Sequence, residues 1–287
     1  MKIKETAGDF VVNEVIDLEL GEGSYNYYLV KKKKRNTMDI VKFLEGRLNT
    51  KIGFAGLKDK HAVTSQHISV YQRKIFHDME GVEFEFIGSG KKRINLGDHK
   101  GNEFVIVIRD LDKELKPVDR VLNLFGSQRF SENNVDVGRA LVKKDFAKVC
   151  ELLELKVNGK DHVGALRKFG LKRLKFFIHA YQSFLWNKLA VSVKEGKLEL
   201  VGFLTKDPRY DKLLKEEGIV AKDFIIRQIP ELSVEGAQRD VVVEVRRFKT
   251  LEFYDDELHL GKKKQKVSFQ LPKGAYATVV VESLLNN

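Results

Sequence analysis

Residues 52–71 read IGFAGLKDKHAVTSQHISVY, and this stretch carries the clearest fold signal in the chain. Ile52 to Ala55 form a short apolar run that is typical of a buried strand, and a second strand begins at His67. The residues between these two runs are rich in charge, with a glycine at the start, which predicts a connecting loop. The stretch therefore predicts a strand–loop–strand unit with Asp59 in the loop.

Strand-type patterns dominate the chain around this unit, from the start to about residue 135. A helix is expected after Asn36-Thr37, because this pair can cap a segment whose apolar residues between Ile40 and Leu48 lie on one face. A second helix is predicted from Pro117 to Phe125, since proline suits a first helical turn. The further predicted strands are Phe10 to Val15, Tyr25 to Val30, Val82 to Ile87 and Glu103 to Arg109.

The pattern changes after Phe130. Residues 137–155 and 172–190 have helical periodicity, whereas Val241 to Val245 and Val267 to Leu271 return to a strand pattern. The tail from Ala275 to Leu285 is compatible with either a strand or a helix. The predicted fold is therefore α+β, a mostly antiparallel sheet interrupted by a helix-rich insertion.

The composition restricts the classes of partner and compartment. The chain has 287 residues, which favours two domains, and a formal net charge of +11. This surplus suits a polyanionic partner such as a nucleic acid, although a lysine-rich solvated surface explains it equally well. The single cysteine, Cys150, is expected to be a buried apolar residue. No signal peptide or membrane-spanning stretch is predicted, so a cytoplasmic protein without a membrane partner is expected.

Most familiar catalytic signatures are missing from the sequence. The seven histidines form no HxxxH pair and no pair with cysteine, so no metal site is expected. Residues 88–92, GSGKK, lack both the first glycine and the final Ser/Thr of a phosphate loop, and a glycine turn explains them better. No GxGxxG follows a strand, which disfavours an enzyme with a dinucleotide cofactor.

The loop around Asp59 is the main candidate for chemistry. An acid between Lys58 and Lys60 is expected to have a lowered pKa and to stay ionised at neutral pH. Loops that leave a sheet often carry catalytic residues. The alternative is a turn aspartate that bonds its own backbone.

A second cluster and three basic stretches point towards RNA. Residues 123–130, NLFGSQRF, combine an amide, two aromatics and an arginine, which suits an unpaired base, but a helix end with both phenylalanines in the core fits as well. Basic runs occur at residues 31–35, 91–93 and 262–264, each beside strand-like or aromatic sequence. Together with the positive charge they favour a nucleic-acid partner.

Taken together, these segments resemble the TruD family of pseudouridine synthases. The strongest match is the loop segment 56–66, GLKDKHAVTSQ, which is similar to the family's catalytic motif almost letter for letter. The other matching segments are collinear and cover nearly the whole chain: Lys4 with residues 9–14, residues 21–23, Lys31 with Asn36-Thr37, and residues 96–104, 123–130, 179–187 and 271–278.

The resemblance implies roles for individual residues. Asp59 falls on the catalytic aspartate, and Lys4 on a basic residue near it. Phe10, Asn123 and Tyr276 fall on positions that contact the target nucleoside, whereas Phe125 matches a motif aromatic whose contact with the base stays open. Tyr276 stands where bacterial relatives carry phenylalanine.

The resemblance also implies a domain organisation. Residues 1–135 and 240–287 are expected to form a discontinuous catalytic domain. Residues 136–239 are expected to form the inserted domain, which is short for this family.

The implied reaction agrees with these residue types. Pseudouridylation breaks the C1′–N1 bond of uridine and joins C5 to C1′, so no cofactor is expected. A carboxylate is the indispensable group, either as nucleophile at C1′ or as base at C2′. The partner implied is tRNA, with the uridine at position thirteen as the family's usual target, and the uridine must be flipped out of its stack towards aromatic side chains, for which Phe10 and Tyr276 are the candidates.

Two other classes of protein remain as alternatives. A catalytically silent RNA-binding protein of the same fold would not require the Asp59 motif. A different RNA-modifying enzyme such as a methyltransferase would need a glycine-rich cofactor loop after a strand, which the sequence lacks.

Overall fold

A computed structural model describes residues 1–60, 62–72, 74, 76 and 79–286 of the chain. His61 of the 56–66 segment lies outside the described residues. The chain divides into two compact units, Met1–Val121 with Glu244–Asn287 and Leu122–Val243. The α+β fold predicted from the sequence is confirmed.

The first unit is built on one eight-stranded sheet. Its strands are β1 (Phe10–Val15), β2 (Tyr25–Lys33), β3 (Ile52–Phe54), β4 (Val63–Tyr71), β5 (Val82–Gly90), β6 (Gly101–Leu111), β11 (Arg246–Asp255) and β12 (Lys263–Pro272). The order is β11-β12-β6-β1-β4-β2-β5, with β3 also paired to β4. The N-terminal strand predictions are confirmed. Most of the observed strands are a few residues longer than the predicted ones.

One parallel pairing positions the loop of Asp59. β1 runs parallel to β4 with Val11 opposite Val63, whereas β2, β3 and β4 pair antiparallel. The connection between β3 and β4 therefore ends next to the start of β1. This register brings the loop and Phe10 to the same end of the two strands.

Helix α1 (Thr37–Leu48) covers part of this sheet. The predicted apolar face is confirmed, since Ile40, Val41 and Leu44 are buried and pack in one cluster with side chains of β2, β3, β4 and β5. The tail of the chain, compatible with strand or helix from its sequence, forms helix α7 (Ala277–Leu285). Val280 and Val281 of α7 are fully buried.

The second unit is mainly helical. Its helices are α2 (Asn134–Val142), α3 (Phe146–Leu152), α4 (His162–Phe169), α5 (Leu171–Val193) and α6 (Asp211–Glu217), and β8 (Lys197–Leu200) pairs with β9 (Ala237–Asp240). The long helix α5 carries the centre of the core, where Tyr181 and Trp186 are fully buried. Cys150 is buried as expected, and burial raises the pKa of its thiol.

The helix predicted from Pro117 to Phe125 is wrong. Strand β7 (Arg120–Leu122) occupies its centre and pairs with β10 (Val242–Glu244). The spacing of three between buried Val118 and Val121 imitates a helix, but Asn123 N–H donates to the carbonyl of Val241 at 2.7 Å. Pairing with a distant segment outweighs the local periodicity here.

The chain passes from one unit to the other at residues 121/122 and 243/244. The domain boundaries that the resemblance implies are 135/136 and 239/240. Residues 123–125 belong to the second unit because they bond to Val241 and to Asn187 of α5. The assignment of the units to a catalytic and an inserted domain stays a prediction.

Among the described residues, no helix has the length and apolar character needed to cross a bilayer.

Candidate active site

The backbone of the loop at Asp59 is held by side chains from two neighbouring elements. Thr37, at the start of α1, accepts a hydrogen bond from the Lys58 N–H at 3.1 Å. Lys32 of β2 donates from Nζ to the carbonyl of Asp59 at 2.8 Å and to that of Arg35, also at 2.8 Å. The main chain at the candidate catalytic residue is therefore fixed from both sides.

The Lys58 side chain is an internal anchor. Its Nζ lies 2.9 Å from Glu14 Oε1 of β1 and donates to Asn102 Oδ1 of β6 at 2.9 Å. Glu14, fully buried, also accepts from the His67 N–H of β4 at 2.9 Å. The sequence suggests that Lys58 only tunes Asp59, but the structure gives it a second function as part of a buried ion pair between strands.

This ion pair keeps Glu14 charged. Burial on its own would raise the pKa of the Glu14 carboxyl, but the hydrogen bond from His67 and the positive charge of Lys58 outweigh it and hold that pKa below its ordinary value of 4.5.

The carboxylate of Asp59 is paired with Lys4. Lys4 Nζ donates to Asp59 Oδ2 at 2.8 Å, and both side chains are a little over a quarter exposed. The same ammonium lies 4.2 Å from the centre of the Phe10 ring, a cation–π contact. The structure thus brings together three of the residues predicted from the sequence, Lys4, Phe10 and Asp59.

Phe10 is less open than a stacking platform would be. Its ring is only 5% exposed and packs edge-on against Phe104 of β6 with 6.1 Å between ring centres. It faces the site mainly through its contact with Lys4.

The segment that carries Lys4 is tied to β6. The Lys2 N–H donates to the carbonyl of Arg109 at 3.0 Å, and the Arg109 guanidinium makes two hydrogen bonds to the Asp9 carboxylate, at 2.9 and 3.0 Å. Arg109 also donates to Asp256 at 2.8 Å. Between these anchors Lys4 adopts a left-handed conformation with φ of 63°, which is uncommon for a lysine. The buried arginine therefore fixes both ends of the segment that holds Lys4 in place.

Tyr276 lies at the start of α7, half-buried. The turn that precedes it contacts the 96–104 segment, because Lys273 Nζ donates to the carbonyl of Gly97 at 3.0 Å. Gly97 N–H in turn donates to the carbonyl of Ala55 at 2.8 Å, just before the Asp59 loop. Through this chain of contacts the closing turn is connected to the same loop.

Asn123 and Phe125 lie in the second unit and form their own cluster. The Asn123 side chain donates to the carbonyl of Asp240 at 3.0 Å and accepts from Arg239 at 2.6 Å. The guanidinium of Arg239 stacks 4.2 Å above the Phe125 ring. The Phe125 backbone and the Asn187 side chain exchange two hydrogen bonds, each of 2.9 Å, which join the 123–130 and 179–187 segments.

The basic stretches are not uniformly at the surface. Lys31, Lys33 and Lys34 are exposed, but Lys32 is only 2% exposed, and Lys264 is 7% exposed and pairs with Glu257. The interpretation of residues 31–35 and 262–264 as solvated or phosphate-binding is therefore wrong for Lys32 and for Lys264.

Several site residues were missed by the sequence analysis: Glu14, Lys32, Asn102 and Arg239. A signal existed for two of them. The period-two alternation that buries Phe10 and Val12 continues to Glu14, and that of Tyr28 and Val30 continues to Lys32. Asn102 and Arg239 act through contacts with distant segments, which no local pattern reveals.

The geometry defines a class of site: a partly exposed carboxylate, paired with an ammonium beside an aromatic ring, on a loop with a fixed backbone. Such a carboxylate can act as a nucleophile or a base without further groups.

Comparison with known proteins places the chain in a family. Residues 1–153 and 202–284 match the sequence model of tRNA pseudouridine synthase D, TruD. The chain belongs to the TruD family of tRNA pseudouridine synthases.

Individual relatives agree over the whole chain. The Aquifex aeolicus tRNA pseudouridine synthase D is 27% identical over 384 aligned positions that cover 99% of this chain and 98% of that protein. A Thermococcus sibiricus relative described as a tRNA pseudouridine synthase D is 28% identical over 413 positions, covering 100% and 95%. Because these alignments are longer than the 287 residues of this chain, the relatives contain insertions that it lacks.

A solved structure has the same fold. The crystal structure of a TruD protein from Methanosarcina mazei superposes with a TM-score of 0.76 at 23% identity, covering 99% of this chain and 93% of that one.

Proposed function

We propose that this chain isomerises uridine to pseudouridine in tRNA with Asp59 as the indispensable carboxylate, and that its target is the uridine at position thirteen. The observation that carries the proposal is the Lys4–Asp59 pair at 2.8 Å on a loop whose backbone is bonded to Lys32 and Thr37. The family membership supports the reaction, and the resemblance of the 56–66 segment to the family's catalytic motif supports the residue.

The ammonium of Lys4 has two uses in this reaction. It favours the ionised form of Asp59, which is required whether the carboxylate attacks C1′ or removes the proton at C2′. It also orients the carboxylate through its hydrogen bond to Oδ2. Neither step changes the oxidation state of the nucleoside, so the reaction is proposed to need no cofactor.

The flipped uridine is proposed to meet aromatic side chains. Tyr276 is the better candidate for stacking because it is half-buried, whereas Phe10 is nearly buried and supports Lys4. Asn123 and Phe125 are proposed as further contacts of the nucleoside. The Asn123 amide already bonds Arg239 and Asp240, so we expect Arg239 to contact the nucleoside together with Asn123. We further propose that the enzyme acts in the cytoplasm.

Mapping of pseudouridine in tRNA tests the proposal. Unmodified tRNA is incubated with the pure protein and with its Asp59→Asn variant, and pseudouridines are located by carbodiimide-dependent stops of reverse transcription. A new stop at position thirteen with the wild type alone supports it. Stops at another uridine would show that the target is not position thirteen. The absence of new stops in every tRNA would favour a silent RNA-binding protein.

The binding of tRNA should depend steeply on salt. Each phosphate contact contributes about 0.7–0.9 to the slope of log affinity against log salt. Changing the exposed Lys31, Lys33 and Lys34 to glutamine should therefore lower that slope by roughly two to three if all three contact phosphates. Filter binding between low and moderate salt measures it.

A variant with the same net charge provides the control for this effect. It replaces Lys42, Lys51 and Lys116, which are exposed but lie outside the basic stretches. Equal slopes for the two variants would show that residues 31–34 are not a specific phosphate contact.

Replacing Tyr276 should slow turnover more than it weakens tRNA binding. Tyr276→Ala removes a stacking surface worth about 1–3 kcal/mol, whereas Tyr276→Phe keeps the ring and should be mild. Single-turnover rates at saturating tRNA measure the effect, with Tyr71→Ala, an exposed tyrosine at the end of β4, as the control. A loss for Tyr276→Phe as large as for Tyr276→Ala would assign the role to the hydroxyl instead.

A further inference from the structure

Lys32 is a buried cation that donates hydrogen bonds to three backbone carbonyls. Its Nζ donates to the carbonyls of Arg35 and Asp59 at 2.8 Å each and to that of Lys58 at 3.4 Å, while its side chain is 2% exposed. Its neighbours across the sheet are Thr64 on β4 and Val82 on β5, both uncharged.

We propose that Lys32 is a positioning residue of the active site: its ammonium fixes the main chain of Asp59 and adds a second positive charge, besides that of Lys4, that favours the ionised carboxylate. This inference rests on the proposed function of Asp59. It differs from the role of Lys4, which contacts the carboxylate directly.

Burying the charge of Lys32 costs free energy of folding, and holding the loop in place does not by itself require a charge at this position. A charge removed from water is unfavourable unless it is paired, and an apolar side chain of similar volume is often as stable or more stable at such a position. Lys58 satisfies this rule through an ion pair with Glu14, whereas Lys32 has three backbone carbonyls and the charge of Asp59 to offset its burial. A charge retained under these conditions, and bonded to the backbone of the candidate catalytic residue, indicates a function in the reaction.

The ionisation of Lys32 supports this assignment. Burial lowers the pKa of its ammonium from 10.5 to about 8, the Asp59 carboxylate counteracts this, and the Lys58 charge adds to it. The other two charged groups of the site are paired with these residues: Lys4 with Asp59, and Glu14 with Lys58. Lys32 therefore loses its charge in mildly alkaline solution, before an exposed lysine would.

The pH has opposite consequences for activity and for stability. As the pH rises through about 8, Lys32 becomes neutral and turnover should fall. Between about pH 8 and 10.5 the unfolded chain still binds the proton that the folded chain has lost, so the contribution of Lys32 to the free energy of unfolding rises with pH. A purely structural lysine would produce the second change without the first.

The test compares the wild type with Lys32→Met and with Lys51→Met, which removes an exposed lysine of the same unit. Single-turnover tritium release from tRNA that contains 5-tritiated uridine is measured at saturating tRNA across neutral and alkaline pH. Lys32→Met should lower the rate at neutral pH by roughly 10- to 100-fold, as expected for a misplaced reactive group, with tRNA affinity within about twofold of the wild type. It should also lack the fall in rate near pH 8 that the wild type and Lys51→Met show.

The outcomes separate this inference from the proposed function. An active wild type matched by Lys32→Met in rate and pH profile would overturn the role of Lys32 and leave the function intact. A wild type that releases no tritium at any pH would refute the function itself. If Lys32→Met does not fold, the wild-type profile decides, because a rate that stays level through pH 8 contradicts the proposal.

Discussion

The Asp59→Asn variant is expected to bind tRNA with wild-type affinity and to form no measurable pseudouridine. The amide has the shape of the carboxylate but can be neither a nucleophile at C1′ nor a base at C2′. The expected loss in single-turnover rate is at least about a thousandfold, within the range for removal of an essential reactive group.

Folding should survive this change. Asp59 is more than a quarter exposed, and Lys32 holds its loop through the Asp59 carbonyl, which the substitution leaves in place. Asp17→Asn, at an exposed aspartate of the same unit, is the matched control and should keep full activity. An Asp59→Asn protein with wild-type turnover would return Asp59 to the status of a turn residue.

The Lys58→Ala variant is expected to lose much more stability than the other substitutions in this loop. Removing this lysine leaves Glu14 buried without its ion-pair partner, which typically costs about 3–5 kcal/mol of the free energy of unfolding. Lys60→Ala, at the exposed lysine on the other side of Asp59, should change stability by less than about 0.5 kcal/mol. Urea unfolding of the two variants measures the difference.

The pH dependence of this loss tests its cause. The pKa of Glu14 is held below its ordinary 4.5 in the folded chain, so the stability that the charged pair contributes is present above about pH 4.5 and is lost as the pH falls through the folded pKa. The gap between wild type and Lys58→Ala should therefore narrow in acid. The double variant Glu14→Gln, Lys58→Met should recover part of the loss, and a double variant as unstable as Lys58→Ala would show that the ion pair is not the cause.

Much of the fold follows from local patterns in the sequence. Strand-type residues predicted β1 and β2, because β-branched and aromatic side chains favour strands. The cap and apolar face predicted α1, because an amphipathic helix leaves a periodic signature. The exception from Pro117 to Phe125 arises where hydrogen bonds to a segment more than a hundred residues away, at Val241, determine the conformation. The edge strand β11 was also missed, since almost all its residues are exposed and it has no alternation.

The candidate site was predicted in part for a similar reason. The segment 56–66 pointed to Asp59 because its resemblance to a family motif is local in sequence. The supports of that residue are not local: Lys32 comes from β2, Arg109 and Asn102 come from β6, and all three act through the register of the sheet. Their roles depend on which strands pair in the sheet, and local patterns in a single sequence do not predict that pairing.

The most direct test of the account is the stoichiometry of tritium release by the wild-type protein. tRNA transcribed with 5-tritiated uridine is incubated with the pure enzyme at neutral pH, and released tritium is counted against time. Joining C5 to C1′ expels that hydrogen, so the account predicts release that rises to one equivalent per tRNA with wild type and none with Asp59→Asn. Tight tRNA binding with no tritium released by the wild type would contradict it.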